Sequence, residues 1–233
     1  MTIGSNWKLQ LESEVAMILG ETDLGASPDA EQHQVMQLAG AFRADLNGPL
    51  GGVGFTALFA SGDNNLGDDK QTGFKADSNF DMGMLLFPYV IAAQTARAPV
   101  TAANPDLVGV PAQDRERIPT RGSVTNTWAF FPKAWVRPLD GLELYAGALM
   151  ALSNVDNADP FNTRLAGGDP RNAVNEDPGS YYGTEFDLGL RYSALLWGTT
   201  LQLGVEGAVL LPGSALGLTD MIMGGRAMAV YQF

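Results

Sequence analysis

The residue types that carry most enzyme chemistry are nearly absent from this chain. There is no Cys, which excludes thiolate nucleophiles, thiolate metal sites and disulfides, and His33 is the one histidine. A base near a strand end could be built on His33, but no Ser or Asp is tied to it by a motif. Gly51-Gly52-Val53-Gly54 and Gly224-Gly225 do not form nucleotide loops, because no helical pattern follows either one. The expectation is a protein that is not an enzyme. One oxygen-rich cluster remains: Asp63, Asn65, Asp68 and Asp69 crowd the donors a Ca²⁺ ion takes into a Gly-containing stretch, without EF-hand spacing. Asp156, Asn157 and Asp159 repeat that composition further on. Solvated acidic turns have the same make-up, so a calcium site and an ordinary turn both stay open.

The rest of the chemistry is Coulombic, carried by charges at every second position. Glu12 and Glu14 follow Lys8, Arg43 stands two residues from Asp45, and Glu143, Glu185, Asp187, Arg191, Glu206 and Arg226 recur later. Apolar residues fill the positions between, as Phe186, Leu188, Leu190 and Tyr192 do around Asp187 and Arg191. Period two puts such charges on one face of a β-strand and the apolar residues on the other. On a soluble sheet the charged face simply meets water. On a strand that crosses a bilayer the same charges line the interior, where they pair or meet water. The set holds seven acids against four bases, so a channel built on it is expected to prefer cations mildly.

The elements that position these charges are eight alternating segments: 7–19, 34–46, 53–59, about 124–137, 142–150, 185–196, 201–211 and 226–233. Pro132 interrupts the fourth, whose aromatics Trp128, Phe130, Phe131 and Trp135 are expected on the apolar outer surface. Several segments reach the roughly 9–11 residues of a tilted spanning strand, against about 5–6 in soluble sheets. Connections at 47–51, 138–141 and 197–199 are tight, while those at 20–32, 61–123, 154–182 and 212–220 are long. Tight turns on one side and long loops on the other describe an outer-membrane barrel. The expected fold is all-β: one domain over 1–233, an antiparallel transmembrane β-barrel of about eight strands. It is either a closed small barrel or the C-terminal part of a larger one, with long extracellular loops at about 61–123 and 154–182. Within the 61–123 stretch, the apolar run 79–96 is expected to fold inward as a constriction or plug, cover a neighbouring loop or form a further strand pair.

Composition agrees. Hydrophobic residues make up 45 %, yet mean hydropathy is −0.01, and no run approaches the roughly 20 apolar residues of a spanning helix. A net charge of −12 argues against nucleic acid as a partner. Residues 1–6 show neither the charged nor the apolar region of a signal peptide. The outer-membrane reading therefore expects a mature chain or a portion of a longer one.

Ala227, Ala229, Tyr231 and Phe233 place apolar residues at every second position, ending on an aromatic. This resembles the terminal-strand signature of bacterial outer-membrane β-barrel proteins. The resemblance implies an outer-membrane location, a lipid surround and recognition of Tyr231 and Phe233 by the barrel-assembly machinery. A narrower resemblance covers about 52–233. Ser61-Gly62-Asp63-Asn64-Asn65, Phe74, Asn79-Phe80, Leu85-Leu86-Phe87, Gly183-Thr184-Glu185-Phe186-Asp187 and Leu211-Pro212-Gly213 look similar to strands and loops of the alginate-export porins. That family implies about twice this strand count and an arginine-rich pore for a polyanion. The mixed, acid-rich set found here departs from it and argues against alginate as the solute.

The functional expectation is an outer-membrane porin-like channel for passive passage of hydrophilic solutes. The alternative is a non-conducting structural or binding barrel that presents its long loops to a partner or another subunit, in a homo-oligomer or larger membrane complex. No cofactor is expected beyond the loop calcium.

Overall fold

The computed structural model describes residues 2–3, 6–23, 31–65, 68–77, 79–80, 82–95, 123–196 and 198–232. The expected all-β class holds, with every neighbouring pair of long strands antiparallel. The strands are β1 (Thr2–Ile3), β2 (Trp7–Thr22), β3 (His33–Gly48), β4 (Gly51–Ala60), β5 (Lys70–Gln71), β6 (Thr127–Leu139), β7 (Leu142–Ser153), β8 (Tyr181–Leu196), β9 (Thr199–Pro212) and β10 (Ile222–Gln232). Nine follow one another in a single path, and β5 attaches beside β3 as a short parallel partner. The eight long strands run 10–16 residues, longer than soluble strands usually are.

Sequence-adjacent strands pair because each tight turn leaves its two strands no other partner within reach. The ladder from Lys8↔Asn47 to Thr22↔His33 has no register shift. Asp140-Gly141 turns β6 into β7, and Gly141 sits at φ 79°, where a side chain would collide with the Ser193 carbonyl. The turns at 49–50 and 140–141 lie at one end of the sheet, and the connections 61–126, 154–180 and 213–221 leave and rejoin it at the other. Among the described residues no ladder joins β10 to β1 or β2, and no helix is long and apolar enough to cross a membrane.

The two faces are sorted in the reverse of a soluble sheet. Apolar outer residues are open, with Val15 78 % and Leu188 67 % exposed, whereas Glu185 and Glu206 on the other face are 0 % and 3 % exposed. On the covered face ionisable groups are buried beside an apolar cluster, and the apolar residues of the other face are left open.

β6 corrects one expectation. Trp128 and Phe130 point outward as expected, but Phe131 and Trp135 lie on the opposite face and line the interior. Pro132 stays inside the strand, pairing with Phe55 of β4, while the ladder to β7 skips from Phe130↔Met150 to Lys133↔Gly147. A proline has no N–H to give, so the strand loses a rung without losing its phase.

The hydrophobic core lies on the concave face at the loop end. Residues 82–95 fold onto the sheet there, and the described part of this run forms no strand. Met82, Leu86 and Phe87, almost wholly buried, pack in one cluster with Leu149, Leu210 and Leu216. Burying each such side chain is worth about 1.5–3 kcal/mol. The segment forms a π-helical turn at Leu86–Ile91 that continues into a helix at Ala92–Thr95.

Candidate functional site

One register row crosses all eight long strands: Lys8, Asn47, Gly52, Trp135, Tyr145, Gly189, Glu206 and Arg226 are successive partners. With the neighbouring rows it turns toward a single cavity of about 630 Å³, bounded on the loop side by Phe80, Gly83 and Met84. Nine of the charges expected on the interior line this cavity: Glu12, Glu14, Arg43, Asp45, Glu143, Asp187, Arg191, Glu206 and Arg226. Lys8 belongs to the row but is exposed and outside the lining. Glu185 is also outside it, buried beneath the inward-folded segment.

Lys133, Arg137 and the aromatics Phe131, Trp135 and Tyr145 line the cavity too. Sequence reasoning passes over the two bases because Pro132 obscures the phase of β6. Their spacing of four residues, with Trp135 midway, is the signal that could have found them. The lining therefore holds six acids against five bases, and the acidic surplus expected from the sequence shrinks to one.

The charges are mostly paired with near neighbours. Glu206 Oε1 accepts from Arg191 Nη2 at 2.8 Å and Nε at 3.2 Å, and Oε2 accepts from Arg226 Nε at 2.6 Å. The Arg191 guanidinium also lies 4.9 Å from the centre of the Tyr145 ring. Arg43 donates to Asp45 at 2.7 Å, and Arg137 donates to Glu143 at 2.9 Å across the β6–β7 hairpin. Charge-assisted bonds of this kind are stronger than neutral ones and fix the geometry of their partners.

Three inward glycines are covered by rings from the adjacent strand. A Cβ on Gly52 would stand 2.5 Å from Trp135 Cζ2, one on Gly147 would stand 2.6 Å from Phe131 Cε2, and one on Gly189 would overlap the Tyr145 ring. Each glycine lets its neighbour's ring lie flat against the wall, leaving space in the middle.

Glu185 is the most enclosed ionisable contact on this face. Its Oε1 accepts the backbone N–H groups of Met84 and of Leu85, the latter at 2.8 Å, and its Oε2 accepts that of Leu86 at 2.7 Å. These are unsatisfied donors at the start of the helical segment, where a carboxylate also meets the positive end of the dipole. Gly83, at φ 75°, turns the chain into this position, with its Cβ direction 2.6 Å from Leu149 Cδ2. At the far end of the segment, Gln94 Nε2 donates to the Leu216 carbonyl at 2.9 Å.

The oxygen-rich loops are organised as turns. Asp63 accepts the N–H groups of Asn65 at 3.1 Å and Thr72 at 3.0 Å, and Asp68 accepts that of Lys70 at 2.9 Å and an Asn65 amide hydrogen at 3.1 Å. Burial pushes the Asp63 carboxyl above its usual range, opposed by those two hydrogen bonds. Asp69 gives its carbonyl to Gln34 N–H at 2.7 Å. Among the described residues no three acidic groups converge as they would around a cation. Asp159 caps the helix Pro160–Leu165 through the Asn162 N–H at 2.8 Å. His33 is buried opposite Thr22 at the loop end, away from the cavity lining.

Tyr231 lies on the outer face, 57 % exposed, its hydroxyl 2.9 Å from Thr199 Oγ1. Phe233, the other half of the terminal signature, falls outside the described residues. No family model and no curated protein matches this chain, so the family resemblances rest on the short motifs alone.

Proposed function

We propose that this chain forms the wall of an outer-membrane porin-like channel for hydrophilic solutes, narrowed by its own inward-folded segment. The observation that carries the reading is the row from Lys8 to Arg226. Eight strands turn polar and charged side chains to one cavity while their apolar alternates lie bare on the outside. A bilayer satisfies that outer face, and closure of the ladder satisfies the backbone.

The barrel is wider than eight strands. Eight strands closed on themselves leave room for little more than side chains. Here the concave face carries both a helical segment and a cavity of about 630 Å³, and barrels that hold a central helix use about eleven strands.

The near balance of acids and bases supports weak selectivity between small ions, and salt-bridged walls support passage of hydrated solutes over apolar ones. Folded protein reconstituted into planar bilayers should give stepwise conductance. Its absence from inserted, folded protein would favour the alternative, a non-conducting barrel whose interior is filled by residues 82–95 and whose loops meet a partner. The burial of Met82, Leu86 and Phe87 in that segment is the observation on the alternative's side.

A further inference from the structure

We propose that Glu185 is the positioning residue that holds residues 82–95 across the passage, so that removing its charge releases the segment and widens the opening. The proposal rests on the channel reading for its effect on solute flow, but the release itself is independent of transport.

The asymmetry of the contacts singles out Glu185. The segment packs with Leu149 and Leu210, which flank Glu185 on the adjacent strands, and a Cβ on Gly224 would stand 2.5 Å from Leu85 Cδ2. Non-directional contacts of this kind keep a segment close without fixing its orientation. Orientation comes from the Glu185 carboxylate, which engages three consecutive N–H groups, Met84, Leu85 and Leu86. Those donors stand at the start of the helical segment, ahead of any intrahelical acceptor, so donors and carboxylate satisfy one another. At the far end of the segment, Gln94 donates to the Leu216 carbonyl through a single neutral bond. A glutamine at 185 would keep an acceptor oxygen for Met84 and Leu85 but set an amide N–H against that of Leu86. The row neighbours of Glu185, Leu149 and Leu210, supply no substitute acceptor side chain.

The chain has no cysteine, so one introduced thiol reports the segment cleanly. Met82→Cys places it at a position 1 % exposed. In folded, detergent-solubilised protein the Met82→Cys thiol should react slowly with a charged maleimide. Adding Glu185→Gln should speed labelling by about a hundredfold, the population shift expected when a buried hydrogen-bonded charge is lost. Gly83→Val is the companion variant. It changes only the segment, and its side chain would meet Leu149 and Glu185, so it should also release the thiol at position 82 if the Glu185 variant fails to fold. Equal labelling rates in the parent and in whichever variants fold would overturn the proposal. Conductance on the same proteins separates the two readings. Faster labelling with larger steps supports both, and faster labelling with no steps keeps the latch while removing the channel.

Discussion

Arg226 and Glu206 are register partners across β10 and β9 and also an ion pair, Nε to Oε2 at 2.6 Å. Arg191 of β8 holds the other oxygen of the same carboxylate. One buried acid thus joins three consecutive strands from the inside. Glu206→Ala leaves two guanidinium groups without it and changes the lining from six acids and five bases to five of each. Reversal potentials in a salt gradient should move toward anions, and, because the two arginines left behind are half-exposed, denaturant unfolding in lipid should show a loss of about 1.5–3 kcal/mol. An unchanged reversal potential would mean that Glu206 does not face the conducting path.

Gly189→Ala should destabilise by about 1–3 kcal/mol, because the new methyl group takes the place of the Tyr145 ring and disturbs its stacking on Arg191. Gly207→Ala on the neighbouring strand is the control. Its Cβ would find only the Gly224 carbonyl, at 3.7 Å. Paired unfolding curves test the difference, and equal costs would remove the ring-over-glycine account.

Leu188→Arg tests what the outer face touches. Near the middle of β8 and 67 % exposed, Leu188 stands clear of the packed interior, so an arginine there displaces no core side chain. In a bilayer the change should cost about 2–4 kcal/mol. A face that met water would register about ±0.5 kcal/mol, as surface substitutions do.

Asp63 gives a pH dependence whose sign follows from its raised carboxyl pKa. The folded loop binds the proton more tightly than the unfolded chain, so the loop gains stability as pH falls through the folded value. It loses that contribution as pH rises from the ordinary aspartate range through the raised value. Protection of the Phe74 amide, which is bonded to the Ser61 carbonyl and not to Asp63, should therefore decline as pH rises across this window once corrected for intrinsic exchange. Asp63→Asn should abolish the dependence, and since its side chain has one acceptor oxygen, either Asn65 or Thr72 should lose its bond.

The strands are legible in the sequence because alternation is a local property: Phe186 to Tyr192 fixes its own two faces with no help from the rest of the chain. The charges of Glu206, Arg191 and Arg226 are placed inward for the same reason. β6 defeats the pattern where a proline and two adjacent aromatics, Phe130 and Phe131, hide the phase that Lys133 and Arg137 carry. Glu185 and Asp187 are indistinguishable in sequence, two residues apart on one face. Only the arrival of Met84, Leu85 and Leu86 from about a hundred residues away makes one a buried anchor and leaves the other on the cavity. That contact is long-range, and no local pattern encodes it.

Adjacent residues Glu14 and Val15 on β2 give the most direct measurement of the central claim. Both are exposed, on opposite faces of one strand. Nitroxide labels on single cysteines at these positions should differ sharply in reconstituted protein. The label at 15 should collide with oxygen dissolved in hydrocarbon and be shielded from a water-soluble nickel complex, and the label at 14 should show the opposite. Equal access of both labels to the nickel complex would contradict the account.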